Sequence, residues 1–300
     1  MALFAGSAMS HGLPAKILDP APKADARPSG EKGELKVRFL GTGVGSNGVE
    51  DGPRVRSVHG QLRRWTSILL DGKVLVDFTA VNFDTLPKGC TPEAVFYTHS
   101  HPDHYDPAAA LSLGVKRIYC HNSWTDVARR MFKNAAKGRR MPEVTGLEFG
   151  MPVVEGGMTF TSLPANHSTS KKNELCSIYL VEKGPTRFLY ATDTCGLPRE
   201  ALKLTVNSRN PPNPLTAIVM EATAGIGHQN DAGLFFSHSS VDTVARTVQA
   251  LVDTGRYRPP SGRNVFITHL WRAHYPPQVE TDAALPPPLK AAYDGLEVVF

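Results

Sequence analysis

The sequence predicts an α/β fold built as a layered sandwich. Three observations carry this. Short apolar runs of four to seven residues recur along the chain, bounded by Gly, Pro, Asn or Asp. Hairpin signals come early. Strand–helix units then recur to the end, as layers of sheet and helix require.

The elements are read in chain order. Residues 14–34, "PAKILDPAPKADARPSGEKGE", are rich in Pro, Ala, Lys and Gly and have no apolar set to bury. Residues 1–34 are therefore expected to be an extended arm or linker, and residues 35–300 the folded domain. "LKVRFLG" is a strand ending in a Gly turn. "TSILLDGKVLVDF" is a hairpin with Asp71-Gly72 as its tight turn. "AVFYT" is a short buried strand, "DPAAALSL" a helix, and "RIYC" the next strand. Residues 124–135 have helical spacing. "MTFTSLP", "SIYLVEKGPTRFLYAT" and "TAIVMEAT" supply further strands. Residues 240–254 form a patterned helix with a Ser start. "NVFIT" is another buried strand. Residues 286–300 suggest a short helix and a last strand, "LEVVF".

The formal net charge of +5 is mild. It favours a small anionic substrate and does not by itself call for a nucleic acid, which stays open only as a substrate. The cysteines Cys90, Cys120, Cys176 and Cys195 stand singly, which excludes a dense disulfide framework and points to buried free thiols. No apolar run reaches the length of a membrane span. The start, "MALFAGSAMSHGLPAK", has no basic leader region, so a cytoplasmic location is expected; a trimmed export signal would make it periplasmic or exported. A homodimer is compatible with the sequence.

"GTGVGSNG" places Gly43, Gly45 and Gly48 in the dinucleotide spacing. That fingerprint needs a helix to start inside it. The segment that follows, "VEDGPRVRSVHG", has no helical period. A strand-to-loop turn able to line a pocket is the better reading, and no organic cofactor is expected.

The chemistry concentrates in "YTHSHPDHYDP", residues 97–107. His99 and His101 are two apart at the end of a strand, so both side chains leave the same face. Pro102 stiffens the turn, and Asp103 and His104 follow at once. Imidazole and carboxylate suit borderline divalent cations such as Zn²⁺. The bland alternative is a polar loop with Asp103 or Asp106 as a helix N-cap. Three more metal-competent residues lie just beyond apolar strands: His167 after "FTSLPAN", Asp193 after "RFLYAT" and His269 after "NVFIT". Strands whose ends converge on one edge of a sandwich would gather all of them.

These residues resemble a known family. His99, His101, Asp103 and His104 fit the H-x-H-x-D-H motif of the metallo-β-lactamase fold, and His167, Asp193 and His269 fit its later metal positions. The resemblance implies a four-layer αββα sandwich with two metals at one edge. By the same resemblance, His99, His101 and His167 hold the first metal, Asp103, His104 and His269 the second, and Asp193 bridges them. The flanks "LKVRFLGTGVG", "ATDT", "SHSS" and "THL" are most similar to the cyclic-phosphodiesterase subgroup, whose best-known member is the phosphoribosyl cyclic phosphate phosphodiesterase, with ribonuclease Z as a related branch. Two features depart from it. The phosphodiesterase's cysteine cluster for a structural zinc has no equivalent after Gly48, and the arm with which ribonuclease Z grips transfer RNA has no evident counterpart.

The expected function is a hydrolase with two Zn²⁺ per chain (Mn²⁺ or Fe²⁺ as alternatives), cleaving a small or cyclic phosphodiester with a metal-bound hydroxide. Asp103 and His238 are the expected catalytic residues, His238 as proton donor or phosphate contact. His228 is a weaker candidate, His274 could support the last ligand, and Arg63 and Arg64 could steer an anion. His59 and His121 have no assigned role. Lactone, thioester or β-lactam hydrolysis is the second reading, and a mononuclear iron enzyme acting on thiols the third.

Overall fold

The structure is a computed structural model that describes residues 33–45, 55–56, 62–206, 213–230, 236–259 and 265–300. The expected N-terminal arm lies outside the described residues apart from Gly33 and Glu34. Gly48 and His59 also lie outside them.

The elements run β1 (Lys36–Gly41), β2 (Val55–Arg56), β3 (Leu62–Arg63), β4 (Ser67–Leu70), β5 (Val74–Val76), β6 (Ala94–Phe96), α1 (Pro107–Leu113), β7 (Arg117–His121), α2 (Thr125–Ala136) and β8 (Glu143–Leu147). Then come β9 (Pro152–Glu155), β10 (Met158–Pro164), β11 (Ser177–Lys183), β12 (Thr186–Ala191), α3 (Arg199–Val206), β13 (Ala217–Glu221), α4 (Val241–Asp253), β14 (Val265–Thr268), α5 (Gln278–Ala284), β15 (Leu289–Ala291) and β16 (Glu297–Val299). One sheet has the order β16-β1-β4-β5-β6-β7-β8 and the other β15-β14-β13-β12-β11-β10-β9. β2 and β3 pair separately.

Three apolar clusters make four layers of these elements. The middle one holds Phe39, Ile68, Leu70, Val76, Phe96, Phe160, Val181, Phe188 and Val219, from the facing sides of the two sheets. Neighbouring residues point outward: Leu69, Leu75 and Val95 pack with Ala110, Ala128 and Phe132 of α1 and α2. On the far side, Leu189, Ile218 and Ile267 pack with Val244, Val248 and Leu251 of α4. The switch from one face to the other between adjacent residues is the period of a strand buried on both sides. This is the αββα arrangement expected from the motif.

Local chemistry sets the turns. Asp71 and Gly72 both take positive φ, 49° and 69°, as a primed hairpin turn requires. At α1, Asp106 is the cap: its side chain accepts from the amides of Ala108 and Ala109, with Pro107 opening the helix. Asp103 is thereby left for other work. The C-terminal expectation needs correction. The helix is α5, upstream of "PPP", and "LKA" after it is strand β15, because prolines cannot continue a helix. β8, β9 and α3 were not anticipated.

β5, β6, β7 and β8 run parallel, as do β12, β13, β14 and β15. Their carboxyl ends therefore lie together, where open α/β sheets place their ligands. Phe96 fixes the base of the histidine loop. Its ring stacks on Tyr119 at 4.3 Å and on Phe160 of the other sheet at 4.0 Å. Among the described residues no helix is long and apolar enough to cross a membrane.

Candidate metal centre

The loop after β6 carries four of the expected residues. His99 is fully buried and His101 half-buried. The amides of His104 and Tyr105 both donate to the carbonyl of His101, and this turn brings Asp103 and His104 back beside the first two rings. His167 arrives after β10, Asp193 after β12 and His269 after β14. Asp193 and His269 both have left-handed backbone, with φ of 50° and 56°, so the chain bends sharply at the strand ends to aim them.

The structure brings the seven side chains into two adjoining groups. His99, His101 and His167 form one, and Asp103, His104 and His269 the other. In the first, Nδ1 of His101 lies 2.8 Å from Nε2 of His99 and 3.3 Å from Nε2 of His167. In the second, Nε2 of His104 lies 3.3 Å from Nε2 of His269 and 3.6 Å from Oδ2 of Asp103. Asp193 stands between them. Its Oδ2 is 3.1 Å from His104 and 3.4 Å from His269, and its Oδ1 is 3.7 Å from His167.

The outward-facing ring nitrogens test whether this set suits cations. Nδ1 of His104 donates to Asp77 Oδ2 at 2.7 Å. Nδ1 of His99 donates to Thr98 Oγ1 at 2.9 Å, and that hydroxyl donates on to Asp77. Nδ1 of His269 donates to Thr223 Oγ1 at 2.8 Å, which donates on to Glu221. Nδ1 of His167 donates to the carbonyl of Ser237 at 3.0 Å. In each of these four rings Nε2 is therefore the nitrogen turned inward, toward the place a cation would take. Such supported imidazoles are what metal ligation uses, so the residues fit divalent cations.

The electrostatics agree. Burial lowers the pKa of His99, His101 and His167, to about 4 for His101, so these rings stay neutral. His104 goes the other way. Burial opposes its charge, yet Asp193, Asp103 and Asp77 hold its pKa well above the usual imidazole range. Burial would also raise Asp103 and Asp193, but the imidazoles around them, His104 first, keep both carboxyls ionised. Anionic charge concentrated in this way favours a divalent cation.

Four other residues complete the surroundings; of these only Gly45, in the turn expected to line a pocket, was singled out in the sequence. Asp77 and Glu221 are fully buried carboxylates. Gly45 donates its amide to Asp103 Oδ2 at 2.8 Å, and a Cβ there would lie 2.7 Å from the Asp103 side chain. The Gly-rich turn thus lines the centre. Glu174 accepts from the Ser100 amide at 2.7 Å and so pins the strip between His99 and His101.

The remaining candidates divide. Nδ1 of His238 lies 3.1 Å from Glu221 Oε1 and 3.8 Å from Asp193 Oδ1. Burial opposes a charge on His238, but Glu221 outweighs it and lifts the ring to about 9. His228 and His274 stack on each other with centroids 3.8 Å apart, outside the two groups. Arg63 is no anion guide. It is buried and donates to Thr42, the carbonyl of Ala292 and Gln278. Arg64 pairs with Asp84 and Asp294. Cys120 and Cys176 are buried free thiols as expected, whereas Cys90 and Cys195 are partly exposed.

The family model described as the beta-lactamase superfamily domain matches residues 85–258, more than half of the chain. The chain belongs to the β-lactamase superfamily. No curated protein matches it in a sequence search. Solved structures with the metallo-β-lactamase fold do. A diphosphatase from the PhnP family is 21% identical, covers 89% of this chain and 98% of its own, and superposes with a TM-score of 0.61. The metallo-β-lactamase fold protein YhfI from Bacillus subtilis is 15% identical, with coverages of 89% and 100% and a TM-score of 0.61. Zn²⁺-bound PqqB from Methylobacterium extorquens is 15% identical, with coverages of 88% and 99% and a TM-score of 0.63. These likenesses establish the fold that this superfamily member shares with them.

Proposed function

We propose that this protein is a dinuclear metal-dependent hydrolase of small or cyclic phosphodiesters. The observation that carries the reading is Asp193, whose two carboxylate oxygens face two different triads of ligand atoms. His99, His101 and His167 would hold one cation, Asp103, His104 and His269 the other, with Asp193 common to both. Zn²⁺ is the first choice, and Mn²⁺ and Fe²⁺ share the preference for such donors. When bound, two such cations supply a hydroxide at neutral pH and neutralise charge building on a phosphoryl group.

The chain's own residues do the rest. Asp77, Thr98, Thr223, Glu221 and Ser237 fix which nitrogen of His104, His99, His269 and His167 faces inward. The Gly45 amide orients Asp103. His238, paired to Glu221 through Nδ1, keeps Nε2 as the nitrogen that carries a transferable proton for the departing alkoxide. The mild positive charge of the chain and its likeness to a diphosphatase of the PhnP family are in keeping with a phosphate ester.

The test is turnover of bis(p-nitrophenyl) phosphate and 2′,3′-cyclic nucleotides beside a lactone and a β-lactam, each with and without chelator. Chelator-sensitive cleavage of the phosphodiesters, with two equivalents of metal per chain, is expected. Rapid turnover of the carbonyl substrates alone would overturn the phosphodiester assignment. One iron per chain with oxygen uptake would overturn the hydrolase.

A further inference from the structure

The loops after β13 and β14 do more than carry Thr223 and His269. They are laced into one platform. The Trp271 amide donates to the carbonyl of Thr223 at 3.3 Å, and the His274 amide donates to the carbonyl of Trp271 at 2.9 Å. The Tyr275 hydroxyl donates to the carbonyls of Ala222 and Ala224. Gly225 lies so close under His274 that a Cβ would sit 2.4 Å from the His274 carbonyl oxygen. Rings are layered on this base. His228 and His274 are stacked at an interplanar angle of 10°. Trp271 stands against His274 with centroids 4.4 Å apart and an angle of 61°.

Trp271 is 37% exposed, and two more apolar residues, both on the loop after β13, are exposed further: Ile226 at 45% and Phe236 at 78%. Trp271 is two residues past His269, and Phe236 two before His238. The Trp271 backbone amide is held by the carbonyl of Thr223, the residue whose hydroxyl orients His269. A rigidly mounted, half-exposed indole joined to the metal centre through a single residue is poorly explained by packing. It is what a site uses to hold a flat group next to the reacting atoms.

We propose that Trp271, on its His274–His228 support, is a stacking subsite for a planar ring carried by the ester's alcohol part, an aryl or nucleobase group. This rests on the phosphodiesterase reading and narrows its substrate class. Stacking tolerates any base, because every base presents a π-face, so the subsite selects for ring over no ring rather than for one base.

Two measurements test it with the zinc-loaded full chain. The first compares 2′,3′-cyclic AMP with glycerol 1,2-cyclic phosphate, the same kind of cyclic ester without a ring. In W271A the ratio of their kcat/KM values should fall about tenfold, through KM, and W271F should restore most of it. Bis(p-nitrophenyl) phosphate in the same series separates an aryl from a nucleobase source. An equal loss on ring-bearing and ringless esters marks a structural role and overturns the proposal. The second measurement is quenching of tryptophan emission by AMP against ribose 5-phosphate. Quenching by AMP alone, absent in W271F, supports the subsite. Equal effects of both ligands, or none, overturn it. If no phosphodiester is cleaved but the AMP signal still depends on Trp271, the subsite stands and the hydrolytic reading falls.

Discussion

Asp77 Oδ2 lies 2.7 Å from Nδ1 of His104, and both side chains are fully buried. The same carboxylate accepts from the Thr98 amide and hydroxyl, so it organises the roots of two histidines. A lone buried carboxylate costs several kcal/mol, which only such partners offset. D77N keeps the shape but weakens the acceptor. It should lower metal affinity by about 10–100-fold, read by chelator competition, with His104 affected first. Unchanged affinity would remove Asp77 from the centre.

Asp193 faces both triads, so its loss should act on both. D193A is expected to bind less than two equivalents of metal and to lose about a hundredfold or more in kcat/KM. Elemental analysis and turnover check this together. A variant with full metal content and full turnover would refute the shared-ligand assignment.

At Gly45 the prediction is local. In G45A the new methyl would meet the Cβ and Cγ of Asp103 at 2.7 Å, and neither atom can swing away cheaply. With both proteins stripped of metal, the thermal midpoint of the variant should stay within a few degrees of the parent, while the variant no longer takes up the second cation. Calorimetric metal titration should then show one tight step in place of two.

Glu155 tests pH dependence away from the centre. It pairs with Arg117 and accepts from the Tyr119 hydroxyl at 2.9 Å. Burial would raise its carboxyl, but Arg117 and Tyr119 hold it below the ordinary value. A depressed native pKa contributes stability above the unfolded pKa and loses it as pH falls through the native one. E155Q should therefore melt below the parent at pH 7, and the gap should close below about pH 4.

One rule, a metal-competent residue just beyond an apolar strand, found His167, Asp193 and His269 in the sequence because each strand end is itself legible. Applied evenly, it would also have flagged Asp77 in "LVDF" and Glu221 in "VMEAT". A single carboxylate there reads as a turn until its partner is known. Glu221 gains its meaning from His238, 17 residues away, and Asp77 from His104, 27 away. Arg63 misled for the opposite reason. The groups that bury and occupy it, Gln278 and Ala292, lie more than 200 residues along the chain. The Gly-rich turn was separable from a nucleotide fingerprint by the missing helix. Its contact with Asp103 joins positions 58 apart and leaves no local pattern.

His104 follows a strand of one sheet and His269 a strand of the other, and 165 residues separate them. Any ion gripped by both closes a loop of that length, as a removable cross-link. In the chain-entropy picture, pinning so long a loop is worth about 5 kcal/mol, comparable with a disulfide. The centre would then work as a rivet between the halves of the sandwich, and stripping it would loosen the seam there as well as silence the chemistry.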